Sequence, residues 1–443
     1  MQNRKRYALV GTGSRSSMFS RAIAQDFRDG HELVALLDSN PARMDFWNRR
    51  FSQQFDLPAL PTYGPDDLDT MLRDHRVDTL IVTSMDSTHH RYICAAMEAG
   101  VDVISEKPMT TTAENCQQIL EAREKSGRSL TVTFNYRYAP RNSRVKELLM
   151  DGAIGKVNSV HFEWLLDTKH GADYFRRWHR QKINSGGLMV HKSTHHFDLV
   201  NWWLGASPQS VYAKGQLAFY GRENARQRGV TDFYDRATGD PAAAGDPFAL
   251  DLAADPVLKG LYLDAEHVDG YQRDRSVFAQ DIDIEDDVAV LVGYDTGATL
   301  SYHLTAYSPW EGYRVAFNGS AGRLELTCVE TPYVSAKEGD HNFARNVQGS
   351  APAPVSEPTR LTLQNHWEQA RDIQLPQTNA GGHGGADALM LKDIFDPEGR
   401  DPLGRSASYV DGARSILTGI AANRSMQTGQ AVDVATLVPE LVS

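Results

Sequence analysis

YALVGTGSRS, residues 7–16, decides the fold. An apolar run leads straight into two glycines, and a helix-compatible stretch follows: a buried strand, a tight turn and a helix start. Gly11 permits the turn, and Gly13 lets backbone approach a pyrophosphate at the following helix N-terminus. The third position of the dinucleotide fingerprint is Ser16 rather than glycine. A Gly-x-Gly is also a common turn, so the weight falls on its surroundings.

Those surroundings repeat the unit. ELVALLD (32–38), TLIVTS (79–84), VDVISE (101–106) and LTVTFN (130–135) read as four more strands, each bounded by turn or cap residues. Helical stretches separate them, over roughly 16–29, 41–54, 87–99 and 111–126, with a short one near 65–74. Pro41 suits a first helical position after Asn40, and Gly100 stands where a C′ glycine belongs. Apolar strands alternating with helices predict a parallel sheet covered on both faces. Asp38 closes the second strand, where such folds bind a ribose 2′-hydroxyl, and it would repel a 2′-phosphate. The alternative is a cap for the helix beginning at Pro41. NAD is expected over NADP, with the nearby Arg43 weighing the other way.

The whole chain sets bounds. Its 443 residues favour two domains, and 41% apolar with 23% charged residues describes an ordinary globular protein. A formal net charge of −11 argues against nucleic acid as a partner. Cys94, Cys116 and Cys328 are too few for a disulfide framework or a Cys-rich zinc site. MQNRKR runs into a short strand rather than a secretory leader, and no run of about 18 apolar residues exists. A cytoplasmic protein with no membrane partner is the expectation.

MVHKSTHHFDLVNWWLG (189–205) carries three histidines, His191, His195 and His196, ahead of an apolar run. Such a cluster suits proton transfer, metal binding or a half-buried helix. His191 and His195 at i, i+4 would share one helix face. A zinc pair of this spacing needs Glu directly after the first histidine, but Lys192 stands there, so no metal is expected. Trp202, Trp203, Leu199, Val200 and Leu204 read as the core face of the helix.

Two strings carry more. SEKPM (105–109) and GGLMVHKSTHHFD (186–198) occur in order with GTGSRS, LLDSNP, VTSMDSTHHRYICAAMEAG and NGSAGRLEL. Together they resemble the Gfo/Idh/MocA oxidoreductases over about residues 5–220 and 285–330. The resemblance implies an α/β chain: a Rossmann doubly wound parallel sheet over 1–138, then an α/β domain over 139–443 with a large open, mostly antiparallel sheet. It implies NAD, held by Gly11, Gly13, Ser14, Arg15, Ser16, Asp38, Ser84, Asp86, His89, Glu106 and Asn135. It also implies that Lys107 stabilises the reacting oxygen, that Pro108 fixes the backbone turn, and that a dimer or tetramer forms through the open sheet. A lysine at a strand end is otherwise a surface ion-pair residue. Laid over the family's second motif, His195 falls on the general acid/base. His191 falls where an aspartate is usual, and a histidine cannot supply that charge. It offers a second proton carrier, a hydrogen bond to substrate, or plain packing. Asp198 is either an orienting group or a cap.

The segment from about 220 to 285 is an insertion, long, acidic and turn-rich. Asp264, Glu266, His267, Asp269, Tyr271, Arg273 and Asp274 suit a polyhydroxyl ligand, and an oligomer-contact arm is the competing reading. Strands resume with DDVAVLVGY (286–294), ATLSYHLTAY (298–307) and YRVAFNGSAGRLEL (313–326), whose alternation suits an antiparallel sheet. NAGGHGGADALML clusters glycines around His383, ahead of Asp387, and resembles a string of the NAD-dependent glycosidases in the same superfamily. Two readings therefore stand: an NAD-dependent oxidoreductase acting on a secondary hydroxyl of a sugar, polyol or glycoside, and an NAD-dependent glycosidase using transient oxidation, elimination and re-reduction. A third, an NAD-sensing binding protein, leaves Lys107 and His195 without a task.

Overall fold

Near-continuous apolar runs can only be satisfied when both sheet faces are covered, and the first third of the chain does this. The computed structural model describes residues 4–336, 359–376 and 385–439. Lys5–Val10 (β1), His31–Leu37 (β2), Thr62–Tyr63 (β3), Thr79–Val82 (β4), Asp102–Ser105 (β5) and Leu130–Val132 (β6) form a parallel sheet ordered β3-β2-β1-β4-β5-β6. Ala407–Ser408 adds an antiparallel edge beside β6. The order reverses between β1 and β4, which opens a crevice at their C-terminal ends. Val10 lies opposite both Leu37 and Val82, so Gly11 leaves the sheet beside Thr83 and Ser84. Its φ is +84°, and a Cβ there would stand 2.5 Å from the Ser84 Cα. Only glycine fits that turn.

Two local expectations are corrected. The strand at Thr62–Tyr63 escaped the pattern because two residues carry no period. The first helix is α-helical only over Ser16–Arg21 and continues as a π turn over Ala22–Asp26. The next helix, Pro41–Phe55, starts as expected with Pro41 first, and the Ala42 N–H donates to Asn40 Oδ1 at 3.1 Å. Asn40 is therefore the cap, not Asp38.

The second sheet holds Val157–Asp167 (β7), Pro208–Gln216 (β8), Asp287–Tyr294 (β9), Thr299–Ser308 (β10), Glu311–Gly319 (β11), Gly322–Thr331 (β12), Arg360–Asn365 (β13) and Arg371–Ile373 (β14). Its order is β14-β13-β12-β11-β7-β10-β9-β8, followed by Val432–Asp433. Among the described residues only β7 and β10 pair in parallel in this sheet. Alternation decides its faces: Val288, Val290 and Val292 point into the core, while Leu291 is 57% exposed on the other side. The helix Tyr409–Thr428 covers the inner face and packs against β8 and the helix Thr194–Leu204.

The 220–285 segment adds no strand to either sheet. It folds as loops joined by short helical pieces, among them Pro256–Leu258, Lys259–Leu263 and Glu266–Asp269. Leu250, Leu252, Val257, Leu258 and Leu261 enter one core with Leu9, Phe19 and Trp47 of the first sheet's layer. Burial of each leucine contributes about 1.5–3 kcal/mol, so the segment is fixed there. Among the described residues no helix is long and apolar enough to cross a membrane.

Candidate active site

The glycine turn is built from backbone and one carboxylate. Asp38 Oδ2 accepts from the Thr12 N–H (2.5 Å) and hydroxyl (2.9 Å), and Oδ1 accepts from the Asn40 N–H (2.8 Å). Ser16 closes the turn by donating to the Gly13 carbonyl at 2.7 Å. Above Gly13 the nearest atom a Cβ would meet is the Tyr262 hydroxyl, 3.5 Å away. A dinucleotide suits these residues: a backbone cradle without side chains, with a carboxylate at the end of β2.

The ends of β4 and β5 bring the charged groups together. Arg15 Nε donates to Glu106 Oε1 at 2.7 Å, closing the gap between the turn and the Glu-Lys-Pro corner, whose Lys107–Pro108 bond is cis. Lys107 Nζ donates to the His191 carbonyl at 3.1 Å. His191 Nδ1 and Asp86 Oδ2 are 2.5 Å apart, so a residue expected at the cofactor and one expected at the substrate form a pair. Asp86 thus brings to His191 a carboxylate from a different element. Burial pushes Lys107 down to about 8 and the Asp86 carboxyl well above its ordinary value. His191 is driven well below the usual histidine range, by burial first and then by Lys107, Arg177 and Lys192. His89 faces backbone: its nitrogens lie 2.8 Å from the Pro108 carbonyl and 3.0 Å from that of Ser84, so it braces the two corners. The Ser84 hydroxyl pairs with Thr88 at 2.8 Å.

His191 and His195 do not share one continuous helix, as their spacing had suggested. The chain is helical over Gly187–His191, breaks at Lys192–Ser193, and resumes over Thr194–Leu204. His195 packs its ring on Tyr136 at 4.5 Å and beside Phe134 at 5.8 Å. His196 stacks on Trp164 at 3.9 Å and reaches the Tyr302 hydroxyl at 2.6 Å, so it belongs to the core. Asp198 is no exposed cap: it is buried and takes both prongs of Arg137, at 2.8 and 2.5 Å. That pair fixes the turn Asn135–Tyr138 against the helix. Asn135 donates to Asp387 Oδ1 at 2.6 Å. Trp202, Trp203, Leu199 and Val200 are buried, as the helix pattern requires. His383 lies outside the described residues.

His179 was missed. It stacks on Trp178 and meets the His191 ring edge-on at 4.1 Å, and its buried Nδ1 has no hydrogen-bond partner among the described residues. The only hint in the sequence is RRWHR, ahead of the glycines. Ligating atoms of Asp86, His179 and His191 lie within 4.8 Å of one another, a third group that spacing alone had not revealed. Burial first, and then Arg177 and Lys107, depress His179 as well as His191, and the positive charge of these two neighbours opposes a metal ion. Exhaustive chelation is expected to leave activity and thermal stability unchanged; stoichiometric metal lost together with activity would contradict this.

Residues 146–434 match the C-terminal alpha/beta domain of the oxidoreductase family, and residues 5–134 match its NAD-binding Rossmann fold. The chain belongs to the Gfo/Idh/MocA oxidoreductases. It is 36% identical to YteT of Bacillus subtilis (strain 168), a protein named an oxidoreductase, over 95% of this chain and 96% of that one. It is 29% identical to an inositol 2-dehydrogenase of Acidothermus cellulolyticus (strain ATCC 43068 / DSM 8971 / 11B), over 50% of this chain and 58% of that one. Among solved structures, a levoglucosan dehydrogenase in complex with NADH and L-sorbose superposes with a TM-score of 0.62 at 17% identity, covering 98% of this chain and 99% of that one.

Proposed function

We propose that the protein oxidises or reduces a secondary hydroxyl carbon of a sugar, polyol or glycoside, with residues 1–138 as its cofactor half and 139–443 as its substrate half. One observation carries the reading: Lys107 Nζ, at the end of β5, meets the His191 backbone 84 positions on, bringing both motifs to one buried corner. The inositol and levoglucosan dehydrogenases among its relatives support the substrate class. NAD supplies the hydride acceptor when bound. Lys107 holds the substrate oxygen and favours its alkoxide, and His195 takes the hydroxyl proton. His191, oriented by Asp86, offers a hydrogen bond to the substrate. Product analysis over a panel of sugars, polyols and aryl glycosides, with reduced-nicotinamide absorbance followed in parallel, tests it. Cleavage of aryl glycosides without net absorbance change would select the glycosidase reading, which the Asp86–His191 pair beside His179 favours as a second proton-carrying set.

The pH profile follows from the same groups. Lys107 loses its charge as pH rises through about 8, so kcat/KM should fall above that pH. His191 stays neutral to below the ordinary histidine range, so its acid limb should lie lower than that of a free imidazole. An alkaline limb unchanged in Lys107→Ala would contradict the assignment.

NAD is favoured over NADP. Arg43 stands 2.8 Å from Asp269 and 3.7 Å from Asp38, so two carboxylates face one guanidinium at the corner a 2′-phosphate would reach. Titration should show NAD binding at least about tenfold tighter, and Asp38→Ala should narrow the gap. Equal affinities in the native protein would remove Asp38 from this role. The exposed face of the second sheet, around Leu291, is proposed as the dimer or tetramer contact, and Leu291→Asp should lower the mass measured by light scattering.

A further inference from the structure

We propose that residues 255–271 form the outer wall of the dinucleotide site and hold the cofactor through turnover. This rests on the oxidoreductase reading and adds a site to it. The segment crosses the glycine turn itself: the Ser14 N–H donates to the Tyr262 hydroxyl at 3.1 Å, and the Ser14 and Tyr262 hydroxyls lie 2.8 Å apart. A phenol that accepts from the Ser14 N–H still has its own proton to donate, and a phosphate oxygen of a dinucleotide bound on the turn would be an acceptor for it.

Its ends are tied to the cofactor-side helix. Arg43 Nε donates to the Leu261 carbonyl at 3.1 Å, its Nη2 meets Asp269 at 2.8 Å, and its guanidinium lies over the Tyr262 and Tyr271 rings. Asn40 donates to the Ala265 carbonyl at 3.0 Å, and Gly260 packs so closely on Phe46 that a Cβ would stand 2.3 Å from its ring. The chain then returns to the substrate half through a buried two-pronged pair, Arg273 with Asp173, at 2.6 and 3.0 Å. Several acidic residues here and just beyond are engaged in ion pairs: Asp264 with Lys259, and Glu266 and Asp274 with Arg236. These contacts favour a strap across the turn over a carbohydrate-binding surface.

Retention restricts the overall reaction. Reducing equivalents taken from one hydroxyl carbon stay in the site, and a carbonyl compound must collect them there before the next turnover. One C–OH becomes C=O, and one C=O becomes C–OH.

The test is the dissociation of NADH from the full chain, read by its fluorescence after excess NAD is added, together with the dinucleotide content of freshly purified protein. Native protein should keep the dinucleotide through gel filtration and release NADH more slowly than it turns over. Tyr262→Phe keeps the ring in its core, loses the hydroxyl, and should release NADH about tenfold faster or more. Asp269→Asn, which frees Arg43, should also speed release. Release from native protein as fast as from both variants would overturn the strap while leaving the cofactor reading intact. Tighter binding by Tyr262→Phe would show that the phenol blocks the site, and would overturn it too. No dinucleotide binding to any form would instead overturn the oxidoreductase reading.

Discussion

Lys107→Ala is expected to lower kcat by about 10²–10³-fold, the usual cost of losing a donor aimed at a developing oxyanion. NAD binding should persist, because the glycine turn is held by Asp38, Thr12 and Ser16, none of which touches Lys107. His195→Ala should cost about 10²–10⁴-fold, the range for a lost acid/base. In the double variant the two losses should fall well short of additive, since groups acting on one hydroxyl fail together. Steady-state kinetics with cofactor affinities measured separately decides this. A His195→Ala enzyme with near-native turnover on its true substrate would contradict the mechanism under either reading.

The second large effect belongs to Asp86. Asp86→Asn keeps the shape but removes the charge facing His191 Nδ1 and one of the two carboxylates that sustain the Lys107 charge. Turnover should fall about 10²-fold or more. The alkaline limb should also shift to lower pH, because Lys107 then loses a favourable neighbour. A merely structural role for Asp86 would leave the limb where it was. His191→Asp separates the two functional readings: it would place a carboxylate beside Asp86, and a plain dehydrogenase should retain hydride transfer. An enzyme using His191 during elimination should lose bond cleavage while keeping part of the redox half-reaction.

Much of this architecture is legible in the residues. Five of the six parallel strands announce themselves by an apolar run bounded by turn or cap residues, and the glycine turn because Gly11 must pass the Ser84 backbone. Other parts resist reading for identifiable reasons. Spacing of i, i+4 places two side chains together only on an unbroken helix, and the break at Lys192–Ser193 removes that premise for His191 and His195. His191 instead finds Asp86, 105 positions away, through the approach of two layers. The acidic segment looks like a ligand surface because its carboxylates are dense. Their partners, Arg236, Arg43 and Lys259, become visible only once the chain folds back over the turn, with Tyr262 248 positions from Ser14. His179 carries no periodic signal at all.

The most direct test of the central claim is a single-turnover experiment: protein loaded with NAD, mixed with sugars and polyols, and followed by reduced-nicotinamide absorbance with the carbon product identified. The account predicts a rise no larger than one equivalent per site with at least one polyhydroxyl compound, a ketone at the carbon that lost hydrogen, and a greatly slowed rise in Lys107→Ala. NAD bound at the glycine turn with no absorbance change and no altered carbohydrate across the panel would contradict it.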